Sequence, residues 1–240
     1  MDFTYNSYLN LIDLIKKHNY TIASYHNWNE SNRSVILRHD IDYDLDKAVE
    51  LAKHEKQAGI RSTYFVLISS DFYNIYSSST KKKITDIIDM GHEIGLHFDE
   101  TCYDSDSDIV QNILFERSAL ESVIKMPVRT LSMHRPSRKV LDMNLEIDGM
   151  VNSYSNTFFR DIKYLSDSRR RWREPVESVI SGEEYDHLQI LTHAFWYNEI
   201  NMDIHESVRE FVNGGNESRY NTLKDNITDL NQIMEASEVK

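Results

Sequence analysis

The sequence predicts an α/β protein in which parallel strands are covered by helices. Three observations carry that prediction. Short apolar runs alternate along the chain with longer segments whose apolar residues recur at helical spacing. Two of those helical segments stop at single glycines, Gly59 and Gly91. Four of the apolar runs end in Asp or His, and in parallel α/β folds chemistry collects at the strands' C-terminal ends.

Taken in order, Asp2 to His18 carries Tyr8, Leu9, Leu11, Ile12, Leu14 and Ile15, a helical pattern. A short strand or loop follows near Thr21 to Tyr25. Val35–His39 reads as a buried strand. Leu45–Ala58 places Leu45, Ala48, Val49 and Ala52 on one helix face. Arg61–Ile68 is a second strand, Thr80–Met90 a helix, Glu93–His97 a third strand. Asp106–Ile124 is helical, and Thr130–Met133 is a fourth strand. Gly149–Tyr154 and Ile162–Leu165 look like short strands, and His187–Thr192 is another. Two helices are expected at the end, about Ile204–Val212 and Tyr220–Ala236. About seven strands are countable, a number that suits a barrel as well as an open sheet.

The bulk numbers set limits. At 240 residues the chain is long enough for one large domain with a proper core, and the expectation is a single domain over 1–240 with the terminal helices packed on it. It is 40% hydrophobic and 28% charged, with a net charge of −12. That balance disfavours nucleic acid as a partner. No run approaches the ~18 apolar residues of a membrane-spanning helix. The N-terminus, Met1-Asp2-Phe3-Thr4-Tyr5-Asn6, lacks a basic segment followed by an apolar one, and a cytoplasmic protein is expected. The single cysteine, Cys102, can form no internal disulfide and shows no sign of activation.

The chemistry concentrates in Arg38-His39-Asp40-Ile41-Asp42. Strand side chains alternate, so Asp40 and Asp42 share a face a few ångströms apart. Two carboxylates there repel unless a cation or a shared proton intervenes. Asp44 and Asp46 read instead as decoration of a helix N-terminus. His97, His134 and His193 end three further apolar runs and should face the same pocket. Asp99 shares the face of His97 if its strand continues, whereas His92 falls at the opposite end. Arg135 could pair with a pocket carboxylate. His193, next to Phe195-Trp196-Tyr197, could act as a general acid, with the aromatics as a sugar-stacking wall. The arginines of Asp167-Ser168-Arg169-Arg170-Arg171-Trp172-Arg173 could bind a phosphate or carboxylate, or simply decorate a loop. No phosphate-cradling glycine motif is present.

These blocks, with Gly59-Ile60-Arg61-Ser62-Thr63-Tyr64-Phe65 and Gly91-His92-Glu93-Ile94-Gly95-Leu96-His97, resemble the polysaccharide deacetylase (NodB-like, carbohydrate esterase) superfamily in a His-Asp-x-Asp variant. The resemblance covers roughly residues 33–197. It implies a distorted (β/α) barrel of about seven parallel strands and metal-dependent hydrolysis of a sugar acetamide. Asp40 would be the base, and Asp42 and His97 metal ligands. Arg135 would tether the base, His193 would protonate the leaving amine, and the tryptophan near Asp167 would orient that acid. Two departures stand out. The family's second histidine, four residues beyond His97, is Thr101 here, and Ile41 splits aspartates that are usually adjacent. His134 is the expected substitute ligand, with Asp99 the other candidate. Zn²⁺ or another first-row cation suits such donors.

The expected function is deacetylation of an N-acetylated sugar, with a glycan precursor of surface polysaccharide or lipopolysaccharide as partner. The alternatives are a catalytically silent glycan-binding or scaffolding relative, and hydrolysis of another C–N amide bond.

Overall fold

The computed structural model describes residues 1–104 and 106–239. The chain divides into two compact units, Met1–Glu199 and Ile200–Lys240. In the first, the strands are β1 (Thr21–Ala23), β2 (Ser34–Ile41), β3 (Thr63–Leu67), β4 (Glu93–Phe98), β5 (Thr130–Met133), β6 (Val151–Asn152), β7 (Lys163–Ser166) and β8 (His187–Thr192). Seven of them form one parallel sheet in the order β6-β5-β4-β3-β2-β8-β7. β1 pairs with the first half of β2, from Thr21 opposite Ser34 to Ala23 opposite Ile36, and β3 takes the second half, starting with Thr63 opposite Arg38. The end strands β6 and β7 are not paired with each other. The sheet is therefore a curled, open barrel, the distorted (β/α) barrel expected.

Among the described residues six α-helices belong to this unit: α1 (Tyr5–Lys17), α2 (Leu45–Gln57), α3 (Ser78–Asp89), α4 (Ile109–Ile124), α5 (Arg138–Met143) and α6 (Val176–Gly182). Side-chain caps start the first four: Thr4, Asp44, Ser77 and Asp108 each accept from a backbone N–H of the first turn. Ser77 is thus a cap, and the serines after it are helical rather than loop. α2 and α3 end just before Gly59 (φ +70°) and Gly91 (φ +96°), left-handed positions that suit glycine. α5 and α6 escape sequence detection because six or seven residues span too few turns to show a period.

β2 is buried at every position, so its two faces meet two different interiors. One row looks into the barrel. Ile36 packs there with Tyr25, Phe65, Phe158 and Ile162. Gly95 on β4 is part of the same packing: a Cβ at this position would lie 2.5 Å from the Phe65 ring and 2.6 Å from Thr130 Oγ1. Above Ile36 in the inward row come Arg38 and Asp40.

The other row looks out at the helices. His39 Nδ1 lies 2.6 Å from Thr192 Oγ1 and its Nε2 lies 3.0 Å from Glu55 Oε1. Glu55, on α2, is wholly buried. It accepts from Tyr8 Oη at 2.6 Å, Ser62 Oγ at 2.6 Å and Tyr64 Oη at 2.7 Å. His92 joins this cluster, 3.5 Å from Glu55, at the opposite end from the proposed chemistry as its sequence position suggested. A carboxylate can be buried here because every lone pair is met by a donor. Burial alone would raise the Glu55 pKa; His39 first, then His92 and Ser62, outweigh it and hold the carboxyl down at about 2.

In the second unit, α7 (Ile204–Asn226) is followed by α8 (Leu230–Ile233). Asp203 and Glu206 form a capping box at the start of α7. Tyr220 Oη donates to the Met234 carbonyl at 2.9 Å, turning the chain end back on α7. The two helices expected here are one, running through Gly214-Gly215. Each glycine costs a helix about 1 kcal/mol, too little to break it when both flanks are helical. Among the described residues no helix is long and apolar enough to cross a membrane.

The Glu55 cluster makes a direct prediction. Glu55→Ala leaves three hydroxyls and an imidazole without their acceptor and should lower the unfolding free energy by about 3 kcal/mol or more, read by urea titration. Because its folded pKa is depressed, the carboxylate's contribution is complete above the ordinary Glu value of 4.5 and is lost as pH falls towards about 2. Glu55→Gln should flatten that acid limb; an unchanged limb would show the cluster to be neutral.

Candidate metal centre

The alternation that aims Arg38 and Asp40 into the barrel carries Asp42, just past the end of β2, to the same side. Three other strand ends converge on it. β4 delivers His97, the residue after β5 is His134, and the residue after β8 is His193. His134 is fixed by its backbone N–H, which donates to the Phe98 carbonyl at 2.7 Å.

Asp42 Oδ1 lies 3.2 Å from His97 Nε2 and 3.3 Å from His134 Nδ1. The two imidazole nitrogens are 3.2 Å apart. Asp42, His97 and His134 thus form a nearly equilateral triangle of donor atoms able to hold a metal ion. Donors at about 2.1 Å from a common ion lie about 3.0 Å apart in octahedral and about 3.4 Å apart in tetrahedral geometry, and the observed edges fall between. Asp42 Oδ1 is also buried without a hydrogen bond. A buried carboxylate oxygen that faces two imidazoles without a well-formed hydrogen bond to either is an arrangement that a bound cation would satisfy. Burial would raise the Asp42 pKa; His134 and His97 outweigh it and hold the carboxyl well below the usual range.

The other candidate ligand has a different task. Asp99 Oδ1 accepts from the Thr101 backbone at 2.9 Å and the Thr101 hydroxyl at 2.7 Å, closing the turn after β4. Thr101 therefore serves the turn. Asp44 and Asp46 begin α2, and Cys102 is exposed outside the site.

Asp40 sits beneath Asp42 and is held by Arg38. Arg38 is completely buried, and its Nη2 donates to Asp40 Oδ2 at 2.8 Å and to Ser132 Oγ at 2.7 Å. Nη1 donates to Ser153 Oγ at 2.8 Å, and the Tyr154 ring covers the guanidinium at 4.8 Å. Burial raises the Asp40 pKa, but Arg38, then His97 and His193, bring it below the usual carboxylate range. Arg135, expected to tether Asp40, does not do so. Its Nη2 points to Tyr43 Oη at 3.5 Å on the exposed rim. The physical reason is its backbone: φ at Arg135 is +46°, which turns the side chain out of the loop that aims His134 inward.

His193 is gripped by Asp167, at the end of β7. Its Nδ1 lies 2.6 Å from Asp167 Oδ1, and its backbone N–H is 3.1 Å from both carboxylate oxygens. Asp167 is fully buried. This arrangement fixes the proton on Nδ1 and leaves Nε2 facing Asp42 Oδ2 at 3.9 Å. Burial pulls the His193 pKa down; Asp167 first, then Asp42 and Asp40, push it up to about 9. The Trp172 indole nitrogen makes no hydrogen bond, so among the described residues Asp167 orients His193. Phe195, Trp196 and Tyr197 are nearly or fully buried, and this run packs the core instead of forming an open sugar wall.

No family model matches the chain, and no curated protein matches it. Among solved structures it is similar to a polysaccharide deacetylase from Bacillus cereus, with 14% identity and a TM-score of 0.46 over 76% of this chain and 86% of that one. It is similar to a peptidoglycan deacetylase from Bacillus subtilis, with 12% identity and a TM-score of 0.45 over 78% of this chain and 87% of that one. A chitin deacetylase from Colletotrichum lindemuthianum gives 14% identity and a TM-score of 0.42 over 75% of this chain and 81% of that one. At this level of likeness the site has to be judged on its own geometry.

That geometry predicts one tight site for a first-row divalent cation. Calorimetric titration of chelator-treated protein with Co²⁺ or Zn²⁺ should give a stoichiometry of one. Asp42→Asn and His134→Ala should each weaken binding by about 100-fold or more, while Thr101→Ala should leave it intact. Equal binding by the His134 variant would remove that residue from the ligand set.

Proposed function

We propose that this protein is a deacetylase that hydrolyses the acetamide of an N-acetylated sugar, with a first-row divalent cation held by Asp42, His97 and His134. The observation that carries the reading is geometric: Asp40, paired with the buried Arg38, and His193, paired with the buried Asp167, flank the Asp42 donor triangle. When bound, the cation supplies Lewis acidity, drawing electron density from the acetyl carbonyl and lowering the pKa of a water.

The chain's own groups account for the proton movements. Asp40, kept ionised by Arg38, takes a proton from the attacking water. Its Oδ1 has no hydrogen-bond partner among the described residues and is the oxygen available for that task. His193 Nε2–H gives its proton to the departing amine nitrogen as the C–N bond breaks. Asp167 stabilises the imidazolium before the transfer and holds the ring in place during it. Water thus adds to the acetyl carbon, acetate leaves, and the sugar keeps a free amine. His134 would supply the donor that Thr101 does not, which speaks against a catalytically silent relative. The fuller reading is a step on a cytoplasmic precursor of surface polysaccharide or lipopolysaccharide. It is part of the same proposal, tested by which sugars release acetate and by cell fractionation.

Metal-loaded protein should release acetate and free amine in equal amounts from an N-acetylated saccharide. Asp40→Asn and His193→Ala should each lower kcat by about 10²–10⁴-fold. The acid limb of kcat should lie below the ordinary carboxylate range, and kcat should fall on the alkaline side as His193 loses its proton, at or below pH about 9 because a bound cation depresses that pKa. Absence of acetate across neutral and charged N-acetylated sugars, or full activity in Asp40→Asn, would refute the proposal.

A further inference from the structure

We propose that Arg135, with Tyr43 and Phe72, forms a subsite for an anionic oxygen group, a phosphate or a carboxylate, carried by the sugar close to its acetamide. The inference rests on the deacetylase reading for where the acetamide lies, but the subsite is defined by residues outside the metal and proton-transfer groups.

Position is the first argument. Tyr43 directly follows Asp42, and Arg135 directly follows His134, so two members of the donor triangle each carry a rim residue beside them. Arg135 Nη2 and Tyr43 Oη meet at 3.5 Å across the mouth of the barrel. A substrate whose carbonyl reached the triangle would bring its sugar ring towards the residues that follow Asp42 and His134 in the chain. The Tyr43 ring stands edge-on to Phe72 at 5.3 Å and to Phe195 at 5.1 Å. Phe72 is 57% exposed, so Tyr43 and Phe72, backed by the buried Phe195, present an apolar face to the rim that suits the C–H face of a sugar.

Charge is the second. Arg135 is exposed and has no carboxylate within 4.0 Å among the described residues. Glu100, in the turn after β4, is already engaged by the far end of this loop: Ser137 donates to it through both its backbone N–H and its hydroxyl. Arg38 neutralises Asp40 from below, so Arg135 is not needed there. In a chain of net charge −12, a cation at the entrance is the group that lets an anion approach.

The backbone is the third. A non-glycine residue at φ +46° costs about 1 kcal/mol or more and persists only where its surroundings impose it. Here the imposing contacts are His134 N–H on the Phe98 carbonyl before it and Ser137 on Glu100 after it. The loop thus turns consecutive side chains in opposite directions, His134 to the triangle and Arg135 to the rim. A guanidinium held there can form the paired hydrogen bonds that planar anions accept.

The test uses full-length protein stripped of metal, so that no ion competes for the anion. Binding of N-acetylglucosamine is compared by calorimetry with that of its 1-phosphate, its 6-phosphate and N-acetylmuramic acid, whose carboxylate separates the two anion sources. At least one anionic sugar should bind about tenfold or more tightly than the neutral one, with the advantage shrinking in high salt. Arg135→Ala should bring that ratio close to one, and Arg135→Lys should keep part of it. No preference for any anionic sugar, or a ratio retained in Arg135→Ala, would overturn the proposal. Binding is read on metal-free protein, so an anionic preference there, together with no acetate release by the metal-loaded protein, would refute the deacetylase reading and leave the subsite standing.

Discussion

The structure depends on a buried arginine. Arg38 lies inside the barrel without solvent, and a guanidinium there is tolerable only if its charge and donors are met. Asp40 supplies the counter-charge, and Ser132 and Ser153 take donors from two other strands. That requirement binds β2, β5 and the end of β6 into one arrangement. It also makes Asp40 a carboxylate by construction, since protonating it would strand the arginine. Asp42, one step higher on the same face, then meets a second demand for positive charge, which the arginine does not reach.

The opposite face of β2 solves the complementary problem. There the buried charge is Glu55, and the donors are hydroxyls and imidazoles from α1, the segments before and within β3, and β2 itself. Adjacent residues on one strand, Arg38, His39 and Asp40, therefore serve two networks on two sides of the sheet. A one-residue slip of β2 would put a cation among the helices and an imidazole in the barrel, so register is enforced electrostatically as well as by packing.

Much of this was legible in the sequence. Apolar runs of four to eight residues and glycine-stopped helices gave the parallel α/β class, and period-two alternation put Asp40 and Asp42 on one face. The same alternation reaches Arg38, two residues earlier, but an arginine inside an apolar run declares nothing until its partners are known, and Ser132 and Ser153 lie some hundred residues away. Arg135 was misread for the converse reason. The resemblance made it the tether of Asp40, a place that Arg38 takes, while Arg135, at a left-handed φ, lies on the rim. His134 as third donor was legible as a candidate, because it ends a strand beside β4. The continuous α7 was not: the sequence suggests two separate helices over this stretch, and the one helix runs through Gly214-Gly215, which nothing crowds.

The most direct measurement is an anomalous difference map from crystals of the metal-loaded protein, collected at the absorption edge of the added ion. A single strong peak bonded to Asp42 Oδ1, His97 Nε2 and His134 Nδ1, with Arg38 still on Asp40, is the predicted result. A peak elsewhere, or imidazoles of His97 and His134 turned away from Asp42, would contradict the account.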